Sequence, residues 1–364
     1  MRGTATKQTD LLTLINLEAR IPAKHPIRRI KAMVDEILEG MDAYFDELYE
    51  ELGRASVPPE RLLKAKVLMA LYTVRSERQF CERLNYDLLF QWFLDMNPSE
   101  AAFHATVFSK NMNRLLEHKS SELFFSEVVE LARRHQWVSN EHFSVDGTLI
   151  EAWASMKSFR PKDDDSHDGN GWQDFKGQKR GNQTHASRTD PEARLLRKGA
   201  GKEAKLCFAA HAAMENRHGL CVLMDVTASV GVTEPEQALR QVDELCQRGF
   251  DPRSVGADSG YHTKDFVRGC REREVAPHVA AHPKRRTPGL DGRTRRGGAY
   301  QASQKVRKRI EEIFGWSKTT GAFRKTRYHG VERTGFCAHF VAAACNLVRM
   351  AKLMEESPPN PVGA

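Results

Sequence analysis

The sequence predicts an α/β protein, with an all-helical N-terminal part followed by a mixed five-stranded sheet that has helices on its faces. Three observations predict it. Within residues 24–118, Ile27, Ile30, Val34, Ile37, Met41, Phe45, Leu48 and Leu52 recur every three or four positions, as in a helix with one buried face. From residue 141 the pattern changes to short apolar runs bounded by turn residues. These runs follow the order strand, insertion, strand, strand, helix, strand, helix, strand, helix, which gives three antiparallel strands and then alternating strands and helices.

Each element has its own signal. Pro26 opens the first helix, which runs to Leu52, and Gly53 lies just past its end. Pro58-Pro59-Glu60 starts a second helix that continues to about Val74. Ser76-Glu-Arg-Gln79 has the form of a capping box, and Asn85-Tyr-Asp87 breaks the chain before Leu88-Leu-Phe-Gln-Trp-Phe93. A further helix covers residues 108–136. Short helices with such breaks suit either a helix-turn-helix-like unit that touches DNA or a plain bundle. The stretch 141–152 is strand-like on both sides of Asp146. Residues 155–205 are polar and rich in Gly, Lys, Arg and Asp, which predicts a long irregular insertion. Residues 206–214 and 220–227 form a hairpin turned at Asn216-Arg-His-Gly219. A helix over 234–248 closes at Gly249, a buried strand over 255–258 leads to a helix over 264–273, and a short strand spans 275–280. A basic helix over 303–318 and an apolar helix over 336–354 complete the chain. The expected division is a flexible N-terminus at 1–20, a helical DNA-binding or dimerisation domain at 21–137, a catalytic domain at 138–354 and a disordered tail at 355–364.

Composition narrows the function classes. Hydrophobic residues make up 40% of the chain, and no uninterrupted apolar run approaches the roughly 18 residues of a membrane span. The N-terminal stretch lacks the apolar core of a secretory signal. The seven cysteines include no Cys-x-x-Cys pair, so neither a zinc site nor a disulfide framework is indicated, and a reducing cytoplasm is the simple expectation. A net charge of +8 favours a polyanionic partner. Basic clusters at Lys284-Arg285-Arg286, Arg293-Thr-Arg295-Arg296 and Lys305-Val-Arg307-Lys308-Arg309 all lead up to Glu311.

Three acidic residues carry the chemistry. Asp146 in Phe143-Ser-Val-Asp-Gly and Asp258 in Val255-Gly-Ala-Asp-Ser-Gly-Tyr261 each end a short apolar run, and Glu311 lies in a basic helical stretch. Such carboxylates suit hard divalent cations, and two such cations can drive in-line phosphoryl transfer. Each acid also has a plainer use. Asp146-Gly147 and Asp258-Ser-Gly260 are turn sequences, and Glu311 can pair with Arg307 along one helix.

These residues resemble the catalytic triad of the DDE transposases. Arg307-x3-Glu311-x6-Lys318 matches the Arg, Glu and Lys of that family's Tyr-x2-Arg-x3-Glu-x6-Lys signature, and these spacings select Glu311 over Glu312. Gln304 stands where the signature has Tyr. Phe314-Gly-Trp316, Asp258-Ser-Gly-Tyr261-His-Thr-Lys264, Thr189-Asp-Pro-Glu-Ala193 and Arg197-Lys-Gly199 resemble bacterial insertion-sequence enzymes of the IS-five type, within the IS-four-like superfamily. Ser76-Glu-Arg-Gln79, Tyr86-Asp87 and Trp92-Phe93 are similar to their N-terminal helical domain, so the likeness covers roughly residues 20–350.

The resemblance implies a ribonuclease-H-like catalytic domain that cleaves DNA at terminal inverted repeats and joins the 3′-ends to target DNA. It implies two Mg²⁺ or Mn²⁺ ions on Asp146, Asp258 and Glu311, and a homodimer on DNA. Arg307 and Lys318 are the expected phosphate contacts, with Lys308 and Arg309 along the DNA backbone. Tyr261, His262, Lys264 and Trp316 are further candidate substrate contacts, and Trp172 could stack on an unpaired base. Tyr261 and Trp316 can equally pack in the core, as His211 and His339 are expected to do. Asp163-Asp-Asp165 with His167 reads as solvated charge or a metal cluster. A catalytically inactive DNA-binding descendant of such an enzyme and a metal-dependent nuclease are the alternatives.

Overall fold

The computed structural model describes residues 16–48, 56–162, 181–197, 199, 201–228, 232–282, 290 and 295–356. The Lys284-Arg285-Arg286 cluster, Arg293, the Asp163-Asp-Asp165 group with His167, Trp172 and the tail from 357 lie outside the described residues.

The N-terminal part is helical, as expected, but in shorter pieces. Its helices are α1 (Leu17–Arg20), α2 (Pro26–Glu39), α3 (Asp42–Leu48), α4 (Pro59–Leu71), α5 (Glu77–Leu84), α6 (Leu88–Phe93), α7 (Thr106–Glu117) and α8 (Ser120–Arg134). The single helix expected from Pro26 to Leu52 is broken because α2 ends on Gly40, whose N–H closes the last turn on the Glu36 and Leu38 carbonyls. The helix expected over 108–136 is split by Lys119, whose φ of 53° is left-handed and cannot continue an α-helix. Ser76 accepts from the Gln79 N–H and Asp87 from those of Leu89 and Phe90, so both sequence signals mark real helix starts.

The sheet follows β1 (His142–Glu151), β2 (Phe159–Pro161), β3 (His185–Ser187), β4 (Arg194–Arg197), β5 (Ala204–Glu215), β6 (Cys221–Thr227), β7 (Ser254–Ala257) and β8 (Ala276–Val279). β5 is antiparallel to β1, β6 and β4, whereas β7 runs parallel to β1 and β8 parallel to β7. Setting aside β4, the order β6-β5-β1-β7-β8 is the ribonuclease-H-like arrangement of three antiparallel strands extended by two parallel ones. The sheet has a sixth strand that the sequence did not suggest. β4 comes from the insertion, where β2 and β3 also form a small ribbon of their own. These strands have three or four residues each, too short for period-two alternation to show.

The remaining helices are α9 (Glu234–Gln247), α10 (Lys264–Glu272), α11 (Gly298–Arg307), α12 (Ile310–Lys318) and α13 (Val331–Glu356). The basic helix expected over 303–318 is therefore two helices. At Lys308 and Arg309 the backbone bonds tighten to three-residue spacing, Arg309 N–H to Val306 O and Glu311 N–H to Lys308 O. The break lets α11 pack on β7, β8 and β1 while α12 packs on β1 and α13.

α13 is long and apolar enough to cross a membrane by length and composition alone. Instead it is held in the protein's own core, with α8, α4 and α2 on one side and β6 on the other. One apolar core consequently runs from Ile21 and Ile27 through Phe143 and Val255 to Leu347 and Ala351.

Candidate active site

Strand register places the two aspartates. The parallel pairing of β1 with β7 matches Ser144 to Gly256, the last match in that ladder. Two residues further along lie Asp146, still within β1, and Asp258, just past the end of β7, so they stand level where the two strands stop pairing. Ligands of α/β sheets bind at the carboxyl ends of parallel strands. Asp258 turns the chain: its carboxylate accepts from the Gly260 N–H at 2.7 Å and caps the short turn Ser259–Tyr261. The Asp146 carboxylate accepts from the Gly147 N–H at 2.8 Å.

The same geometry fixes the face. A Cβ on Gly256 would lie 2.9 Å from Ser303 Oγ of α11 and 3.0 Å from Ser144 Oγ, so these positions share the face covered by α11. Side chains alternate along a strand, which puts Ser144, Asp146 and Thr148 on that face together. Lys318 of α12 confirms it by donating to Thr148 Oγ1 at 2.5 Å. Arg307, one turn beyond Ser303, brings its positive charge to bear on Asp146. Its Nε is buried without a hydrogen-bond partner, so part of this guanidinium is uncommitted.

Charge here is poorly compensated. Burial, and then the negative charges of Asp258 and Glu234, push the Asp146 carboxyl up to about 6, against the opposing pull of the Gly147 N–H and Arg307. Glu234, the first residue of α9, was missed by sequence reasoning. Its Oε1 lies 3.2 Å from where a Cβ on Gly147 would be, on the side of β1 away from α11. Burial and Asp258 raise the Glu234 carboxyl too. Thr233 and Glu236 form a readable capping box around Glu234, but its approach to β1 is a tertiary fact without a local signal.

Most of the other expected residues are dispersed, but Tyr261 lies within the field of Glu234, Asp146 and Asp258. Glu311 is exposed in the first turn of α12. It lies seven residues before Lys318, hence at nearly the same angle around the helix. Glu312 is turned away and pairs with Arg349 of α13 at 3.6 Å. Lys308 is exposed, and Arg309 donates to the Arg217 carbonyl in the β5–β6 turn at 3.3 Å. Tyr261 is buried and packs edge-on against Phe266. His262 is buried, Lys264 is exposed at the start of α10, and Trp316 is half-buried against the core. Gln304 donates to the carbonyls of Ala257 and His278, tying α11 to β7 and β8 just before Asp258. His211 bonds Thr227, and His339 bonds Ser121 and the Met224 carbonyl, as core histidines do.

Among the described residues, no three carboxylate, histidine or cysteine side chains are close enough to hold a metal ion together. Of the three acids that the sequence singles out, Asp146 and Asp258 lie in each other's field, and Glu311 is not grouped with them. The donor set still fits a hard cation. It is all carboxylate oxygen, and Asp146 gains from any positive charge placed beside it.

Aspartates level on adjacent parallel strands, facing helices that carry an arginine and a lysine, stand here in a ribonuclease-H-like domain. Two family models match the chain, "Transposase domain (DUF772)" over residues 15–114 and "Transposase DDE domain" over residues 141–347. The chain belongs to the DDE transposases of insertion sequences. Among solved structures, it is similar to a piggyBac transposase synaptic complex with hairpin DNA, at 10% identity and TM-score 0.43, over 93% of this chain and 77% of that one. It is also similar to the Mos1 strand transfer complex, at 14% identity and TM-score 0.20, over 77% and 83%. No curated protein sequence matches it.

Proposed function

We propose that this transposase cleaves DNA at the terminal inverted repeats of its element and joins the freed 3′-ends to target DNA. One observation carries the reading. Asp146 and Asp258 leave adjacent parallel strands side by side, on the face where Arg307 and Lys318 converge. Asp146 and Asp258 would hold Mg²⁺ or Mn²⁺, with Glu311 as the third carboxylate. When bound, two such ions activate a water or 3′-hydroxyl and stabilise the leaving oxygen.

The chain's own residues supply the rest. Arg307 offers a planar, partly uncommitted guanidinium suited to gripping a phosphate in bidentate fashion. Lys318, held over β1 by Thr148, supplies a point charge two turns of α12 from Glu311. Gln304 fixes the backbone just before Asp258. Two ends must be cut in concert, so the working form is a homodimer on DNA, in the cytoplasm. The helices before residue 137 bind end DNA or pair the subunits.

The test is to incubate the protein with Mg²⁺ and DNA carrying the inverted repeats that flank its own gene. Cleavage at the repeats and strand transfer are expected, both lost in Asp146→Asn, Asp258→Asn and Glu311→Gln. Cleavage that survives these substitutions overturns the reading. Release of a nick without strand transfer identifies a nuclease.

A further inference from the structure

A second group of cations gathers away from the two aspartates, between the N-terminal helices and the segment that follows α12. That segment runs beside the end of β1. The Glu151 N–H donates to the Arg324 carbonyl at 3.1 Å, and the Thr326 N–H donates to the Glu151 carbonyl at 2.9 Å. This pairing sets exposed Lys325 and Arg327 around Trp153. The Lys325 Nζ lies 5.4 Å from the Trp153 ring centre and the Arg327 guanidinium carbon 4.8 Å from it. Trp153 remains 41% exposed, and no other tryptophan is among the exposed large hydrophobic residues described.

Lys325 and Arg327 also line a cleft whose opposite wall comes from α4 and the residues after it, including Lys66 and Arg75. Four cations line this cleft and no carboxylate does. Lys66 is neutralised by Glu77 at 2.7 Å, whereas Arg75, Lys325 and Arg327 have no carboxylate partner among the described residues. Uncompensated cations in a cleft attract a polyanion, and an exposed aromatic ring beside them offers a stacking platform. That pairing of features is what proteins use to hold a single nucleic-acid strand. Duplex DNA has its bases stacked internally and would leave Trp153 in water.

We propose that Arg75, Lys325, Arg327 and Trp153 form a DNA-strand site. Phosphates of the strand lie in the cleft between α4 and residues 321–328, and an unpaired base rests on Trp153. This site rests on the transposase reading for its ligand, but it is separate from Asp146 and Asp258. It would hold strand that is unpaired while an end is being processed. Residues from the helical part and from beside the sheet build it, so strand binding would also brace the N-terminal helices against the sheet.

Binding can be measured without catalysis. The full chain is titrated, in EDTA, into dye-labelled single-stranded and duplex oligonucleotides of the same sequence, and fluorescence anisotropy is followed over a range of salt. Trp153→Ala is expected to weaken single-strand binding about tenfold and duplex binding far less, with Trp153→Phe retaining most of the affinity. Lys325→Gln with Arg327→Gln is expected to flatten the logarithmic salt dependence for single strands by roughly 1.4, the share of two phosphate contacts. Single-strand affinity unchanged in Trp153→Ala, or a salt dependence unchanged in the double variant, overturns the site. Repeat cleavage lost in Asp146→Asn while these binding effects are absent would remove this site alone. Binding effects present without any Mg²⁺-dependent cleavage would remove the catalytic reading alone.

Discussion

Two groups of charges are withdrawn from water in this molecule, and they are built in opposite ways. In the helical half, Lys66 is buried but reaches Glu77 at 2.7 Å and the Tyr328 hydroxyl at 2.8 Å, while Tyr328 donates to Glu77 at 2.6 Å. Burial alone would lower the Lys66 ammonium, but Tyr328 and Glu77 outweigh it and hold it above its ordinary range. Nearby, Lys31 pairs with Asp35 and Asp95 at 2.7 and 2.6 Å, and Lys64 joins the same two acids. In the sheet half, Asp146 has Asp258 and Glu234 for neighbours, all of one sign, and its carboxyl is pushed up to about 6. Closed networks brace the fold, tying α4 and α5 to the segment before α13. The open cluster, which Arg307 offsets only in part, costs stability, and the cation proposed to bind there would relieve it.

The largest expected effect comes from opening the closed network. Lys66→Met leaves the half-buried Glu77 carboxylate and Tyr328 hydroxyl without their cation, and should cost about 2–4 kcal/mol in urea unfolding. A cost below about 1 kcal/mol would mean that the network does not brace the helices against the sheet.

The same operation on the open cluster should have the opposite sign. The folded-state value for Asp146, about 6, lies above its ordinary 3.8, so the folded protein keeps a proton that the unfolded chain releases. Stability contributed by that proton is present below about pH 4 and lost as pH rises through 6. Asp146→Asn should therefore be more stable than the parent above pH 6, by roughly 1–3 kcal/mol, and equal to it near pH 4. Unfolding curves at pH 4 and pH 7.5 without divalent metal check this. A destabilised variant at pH 7.5 would show that the cluster is already compensated.

The smallest effect concerns the brace that ties α11 to the strands beside Asp258. Gln304→Ala removes its hydrogen bonds to the Ala257 and His278 carbonyls and should cost about 1 kcal/mol. Strand transfer should fall by more than that stability loss explains, because the backbone before Asp258 loosens. Equal transfer by variant and parent would reduce Gln304 to a packing residue.

Local patterns were legible in the sequence, and contacts between distant segments were not. The β5–β6 hairpin, with Gly219 at φ 75° in its turn, could be read from two apolar runs and a turn motif. Asp258 could be read as a strand-end acid, because strands that become buried on both faces are short apolar runs, whereas Asp146, also expected at a strand end, lies inside β1. Helix breaks were harder. Lys119 adopts a left-handed conformation that its identity does not advertise, and the break at Lys308 and Arg309 answers to what α11 and α12 each pack on. That break changes the meaning of the Arg307, Glu311 and Lys318 spacing. The three residues lie on two helices, and it is Thr148 on β1 that shows where Lys318 belongs. Glu234 and the cleft lined by Arg75 and Arg327 depend on approaches across tens to hundreds of residues, for which one sequence holds no local signal.

Thermal unfolding at pH 7.5 with and without Mn²⁺ reads out whether Asp146 and Asp258 bind a cation as proposed. A ligand that binds only the folded state raises its stability with concentration. The parent should melt several degrees higher in Mn²⁺, while Asp146→Asn and Asp258→Asn, already relieved of repulsion, should not respond. An equal rise in all three proteins would contradict the account.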